Sequence, residues 1–120
     1  TAALGAFELA HAQNPYLVGP LLARARIMLR RKDLGAAVEA LRAGIRVRAA
    51  TVLQLPERAN FVIRVYLRHA DVCAAAGRHV PALEALDELF GYDLRFADVD
   101  LRLEAQRRRE AVSRAQRREE

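Results

Sequence analysis

The sequence predicts an all-α protein, and three observations carry that prediction. Just over half of the 120 residues are apolar, with Ala and Leu dominant and aromatics few, a composition that favours helix over strand. Apolar side chains recur every three or four positions, and β-branched residues never alternate with polar ones as they would along a half-buried strand. The four prolines fall at the joints of this pattern rather than inside it.

Taken in chain order, Ala3–Pro15 (ALGAFELAHAQNP) reads as a helix over 2–13 that Asn14-Pro15 closes; the proline ring removes an N–H and restricts the residue before it. Leu21, Ala25 and Met28 share one face of a helix over 18–31, because positions three or four apart stack along a helix. Leu34, Ala37, Val38, Leu41 and Ile45 do the same for 34–53, Tyr66, Ala70 and Cys73 for 57–76, and Ala82, Leu83, Leu86 and Phe90 for 80–90. Pro20, Pro56 and Pro81 stand just before or inside the first turn of a run, where an N–H has no partner within the helix to lose. A last helix over 97–117 begins with an apolar stripe of Phe96, Val99 and Leu103, expected to cover the preceding pair, and fades into AQRRREAVSRAQRREE, whose last ten residues are expected to fray. Short connections make neighbouring helices antiparallel.

The chain also repeats itself. AAVEALRAG (Ala36–Gly44) aligns with PALEALDEL (Pro81–Leu89) around an identical Ala-x-Glu-Ala-Leu, 45 residues apart. Outward from there Ala25 meets Ala70, Met28 meets Cys73, and the turn Arg31-Lys32-Asp33 meets Ala76-Gly77-Arg78. Ala3, Phe7 and Ala10 map onto Ala37, Leu41 and Gly44 with a shift of 34.

A 34-residue helix–turn–helix period is that of the tetratricopeptide (TPR) repeat, and about residues 1–94 of the chain resemble that family. Ala3, Phe7, Ala10 and Pro15 resemble the second helix of such a repeat; Leu21, Ala25, Met28, Leu34, Ala37, Leu41 and Gly44 resemble a whole unit; Tyr66, Ala70, Cys73, Gly77, Ala82 and Leu86 resemble the next. The resemblance implies a right-handed α-solenoid of antiparallel helix hairpins. Residues 1–15 would be the second helix of a truncated repeat whose first helix lies upstream or was removed, 18–48 a repeat, 49–62 an insertion that lengthens both flanking helices into a taller hairpin, and 63–94 a repeat. Residues 95–120 would be a capping helix with a charged tail, since a repeat stack needs a last helix with one polar face. Within that tail Glu104 with Arg108, and Glu110 with Arg107 or Arg114, are spaced as helical ion pairs.

First helices of such repeats line a concave groove that takes an extended or helical segment of a partner. On that resemblance the groove would present Leu22, Arg26 and Leu29 from one unit and Arg64, Leu67, Arg68 and Asp71 from the next. Arg64 and Arg68, one turn apart, resemble the basic pair of the carboxylate-holding version of this groove, but Leu22, Ala23 and Arg26 stand where its other polar residues would be. The implied partner is therefore a protein segment of acidic character, bound by arginine forks.

Residue chemistry argues against other classes. Twenty basic residues, all but one of them Arg, face fifteen acidic ones, a bias that steers acidic partners and, with the abundance of Ala, matches a GC-rich bacterial genome. Ser113 is the only serine and lies in the charged tail, so the buried, oriented nucleophile of a Ser-His-Asp site is missing; Thr1 and Thr51 are no better placed, and Gly35 and Gly44 form no phosphate loop. His69, Cys73 and His79 have metal-ligand chemistry but no fourth partner, and Cys73 falls where the pattern wants a small buried residue, so neither a metal nor a cofactor is expected. Asp87, Glu88, Asp98 and Asp100 read as solvated charges on outer faces or in a connection. A single cysteine forms no internal disulfide, no run reaches the ~18 apolar residues of a membrane span, and no compartment is assigned. The Arg runs interleave Glu and lack aromatic platforms for bases, which disfavours nucleic acid. Self-association is the remaining alternative, because an unpaired first helix would leave Phe7 and its neighbours on an apolar face.

Overall fold

The computed structural model describes residues 18–119, and among these it is all-helical, without strands. Five helices follow one another: α1 (Val18–Arg30), α2 (Leu34–Leu53), α3 (Pro56–Ala75), α4 (His79–Phe90) and α5 (Val99–Glu119). The expected helix over 2–13, with Ala3, Phe7, Ala10 and Pro15 and the self-association face built on it, lies outside the described residues. Pro20, Pro56 and Pro81 each stand within the first three positions of a helix, where they cost no intrahelical bond.

Each helix packs on the next, and α5 also reaches α3. The core follows the periodic faces: Ala25, Leu41, Tyr66, Ile63, Ala82, Leu86 and Leu89 are sealed from solvent. Gly44 lies close to Leu21 and Val52, a small residue where two side chains crowd the backbone.

The turns closing α1 and α3 share one geometry. Lys32 and Gly77 both adopt left-handed backbone, φ 60° and 77°. The N–H of Asp33 donates to the Met28 carbonyl at 2.9 Å and that of Arg78 to the Cys73 carbonyl at 2.8 Å; the N–H groups of Lys32 and Gly77 donate to Leu29 and Ala74, both at 3.0 Å. These are paired Schellman closures, offset by the same 45 residues as the sequence repeat.

Through the stretch 49–62, α2 runs to Leu53 and α3 begins at Pro56; Arg48 takes a non-helical conformation inside α2 (φ −159°, ψ 85°), the chain bends there, and Val52 and Leu53 are buried. The Arg58 guanidinium donates to the Thr51 carbonyl at 2.9 Å across the α2–α3 junction. Two expectations are corrected by tertiary packing: the stripe of Phe96, just before α5, with Val99 and Leu103 on it has all three side chains exposed, and α5 buries Ala105 and Val112 instead. Arg108 reaches Asp71 on α3 at 2.7 Å and Arg109 reaches Asp87 on α4 at 2.5 Å, pairs compatible with that rotation. Finally, the tail does not fray before Glu119, whose carboxylate meets the His79 Nδ1 at 3.0 Å.

Candidate functional site

The α1–α3 face is built by two helices whose apolar sides are buried and whose remaining positions carry cations. On α3, Arg64 and Arg68 are exposed one turn apart, and among the described residues neither has an ion-pair partner. Arg26 of α1 is exposed and lies over the Phe61 ring, 5.5 Å from its centroid, a stacking that orients the guanidinium while leaving its edge to solvent. Leu29 is half-buried.

The other expected members of this face are placed differently. Leu22 and Leu67 are buried in the core, so their area is already spent on packing. Asp71 is engaged by Arg108, which also holds Glu104 at 3.0 Å. The sequence pattern had them in the groove because it marks which helix side a residue occupies, not how deeply α5 and the neighbouring helices cover that side.

A cavity of about 610 Å³ opens where the end of α1 and α3 diverge, a size typical of ligand sites. Leu29, Leu34, Val72 and Cys73 form its apolar lining, and Lys32, Arg68 and Arg78 bring positive charge to it. Its one carboxylate, Asp33, caps α2 by accepting the Ala36 N–H at 3.1 Å. His69 also lines the cavity. Burial, then the charges of Arg42 and Arg78, push its pKa below the ordinary 6.5, so the ring is neutral at pH 7 and offers a hydrogen-bonding edge rather than a charge. Its Nε2 lies 3.9 Å from the Cys73 Sγ.

Behind this face sits a polar network that composition and spacing did not reveal. The Glu88 carboxylate accepts from Arg42 Nε at 2.9 Å, from Tyr92 OH at 3.0 Å and from Tyr66 OH. Tyr66 and Tyr92 meet edge to face, ring centroids 5.9 Å apart. Burial alone would raise the Glu88 pKa, but the three donors offset it and hold the carboxyl below its ordinary 4.5, while burial and the same bonds push the Tyr66 phenol upward. Glu88 therefore ties α2, α3 and α4 together rather than sitting solvated. Arg42 is spaced one turn from Glu39, which it also pairs with, and nothing in that local spacing points to Glu88.

Among the described residues no group of three His, Cys, Asp or Glu side chains could hold a metal ion, and no helix is long and apolar enough to cross a membrane. A further hollow of about 500 Å³ lies at the α2–α3 junction between Arg26 and the exposed Leu55, continuing the basic face toward the other end of α3. No family model, curated protein or solved structure matches the chain.

Proposed function

We propose that the chain is a protein–protein interaction module without catalysis of its own, an adaptor or assembly-scaffold segment of TPR-like α-solenoid architecture, which holds an acidic peptide or helix of a partner against the α1–α3 face. The observation that carries this reading is the pair Arg64 and Arg68, exposed and without ion-pair partners among the described residues, with Arg68 beside apolar surface at Leu29 and Val72. Guanidinium forks give bidentate, charge-assisted bonds to Asp or Glu, and the apolar neighbours contribute area. The helices are ordered by their own core and need no partner to form it, so binding costs the module little ordering.

The double variant Arg64→Glu, Arg68→Glu tests this. Both positions are exposed, so helicity stays intact, and partner capture from source-cell lysate treated with nuclease is lost. Capture of the same partner by the double variant at unchanged affinity contradicts the assignment. A signal that disappears when nuclease is added identifies phosphate as the target instead, with the log-linear salt dependence of nucleic-acid binding.

A further inference from the structure

The two matching turns are informative for what each lacks. A turn of this geometry is most stable with glycine at the left-handed position and a short side-chain acceptor at the cap of the following helix. The α1–α2 turn has the cap, Asp33, but a lysine at the left-handed position; the α3–α4 turn has the glycine, Gly77, but an arginine at the cap, which makes no capping bond. Lys32 is the only lysine in the chain. It occupies a conformation that costs a side chain roughly 1–2 kcal/mol. Each turn thus forgoes one of its two stabilising residues, and in both cases the substitute is a cation lining the same cavity.

Local instability that occurs in both turns, once at the left-handed position and once at the cap, and with the same sign of charge, points to a binding role for the space between. Arg68 adds a third cation from α3. Among the described residues none of the three has an ion-pair partner or side-chain hydrogen bond. Beside the cations the lining has aliphatic Leu29, Leu34 and the well-exposed Val72, together with Asp33, Gly35, His69 and Cys73, and no Phe, Tyr or Trp contributes a stacking surface of the kind that bases require.

We propose that this cavity is a carboxylate pocket, which receives an Asp or Glu side chain of the bound partner segment together with an adjacent aliphatic residue. Lys32, Arg68 and Arg78 hold the carboxylate, and Leu29, Leu34 and Val72 take the aliphatic side chain. The assignment rests on the protein-binding reading above and specifies what anchors that segment.

The test is an amide-resolved NMR titration of the whole chain with acetyl-Leu-Asp-Glu-Leu-amide, with its Asn-Gln counterpart and with inorganic phosphate. The acidic peptide is expected to give saturable shifts at Lys32, Gly35, His69 and Cys73, and the amide counterpart none. The variant Lys32→Gly, Arg78→Asp exchanges each cation for the residue its twin turn carries, so it keeps the fold; it should bind the peptide at least about tenfold more weakly. Arg117→Gln, Arg118→Glu makes the same change in net charge on α5 and should bind as the parent does. No saturable shift, equal shifts from the amide counterpart, or an equal loss in the α5 variant overturns the pocket. Phosphate binding as tightly as the peptide overturns the peptide assignment in favour of a free anion. The two readings fail separately. Partner capture that survives Lys32→Gly, Arg78→Asp but not Arg64→Glu, Arg68→Glu removes the pocket and leaves the module; peptide binding in a chain that captures no protein does the reverse.

Discussion

The C-terminal helix and the α1–α3 face are both rich in arginine, yet they use it in opposite ways. On α5, Arg107 and Arg108 share Glu104, Arg108 also reaches Asp71, and Arg109 reaches Asp87. Arg108 and Arg109 thereby link the helix to α3 and α4. Around the cavity, Lys32, Arg68 and Arg78 stand beside one carboxylate that is already committed to a helix cap. Two surfaces that look alike in composition therefore differ in pairing: one set of cations is engaged by carboxylates of the fold, and the other is without ion-pair partners among the described residues. A net charge of +5 says less about binding than where the unpaired share of it is located.

That contrast can be broken from its structural side first. Glu88→Ala should have the largest effect, because it leaves Arg42 and two tyrosine hydroxyls without their acceptor; a loss of about 2–3 kcal/mol is expected, read from urea unfolding. The pH dependence follows from the same group. With the folded Glu88 pKa held below 4.5, its contribution is fully present above that value and is lost as pH falls through the lower folded value. His69, held below 6.5, adds a shallower loss that begins higher, since the unfolded chain takes up that proton first. Stability measured from pH 7 to 3 should thus fall in two stages, the first flattened by His69→Gln and the second by Glu88→Gln.

Smaller effects sharpen the comparison between the turns. Gly77→Ala places a side chain at φ 77° with no steric contact nearby, so the backbone alone decides, and about 1 kcal/mol should be lost. Lys32→Gly is the inverse change and should gain about 0.5–1 kcal/mol. Smallest is Asp71→Asn, which removes a half-exposed pair with Arg108 and should cost roughly 0.5 kcal/mol, with partner affinity unchanged. A marked loss of affinity there would return Asp71 to the binding face where the sequence pattern first put it.

The helices were legible in the sequence because their apolar spacing is regular and prolines mark the joints. Expected spans of 34–53 and 80–90 lie within a residue of α2 and α4. The repeat was legible too, down to the equivalence of the Lys32 and Gly77 turns. What a one-dimensional pattern could not carry was depth and rotation. Leu22 and Leu67 sit on the helix side the pattern assigned, but neighbouring helices cover them. The stripe of Phe96, Val99 and Leu103 was the face the spacing singled out, yet Leu101, Ala105 and Val112 are the residues that pack on the core, with Arg108 and Arg109 paired across to Asp71 and Asp87. The Glu88 network joins Arg42, Tyr66 and Glu88, far apart in the chain, which no local spacing encodes. Lys32 and Arg78 were visible in the aligned turns; their meaning needed the cavity between them.

The most direct test of the central claim, that these cations are kept for binding rather than for folding, is a thermal melt of Lys32→Gly, Arg78→Asp beside the parent chain, each with and without acetyl-Leu-Asp-Glu-Leu-amide. The account predicts that the variant alone melts higher than the parent, while the peptide raises the melting temperature of the parent only. A variant that melts lower, or that gains as much from the peptide as the parent does, would contradict it.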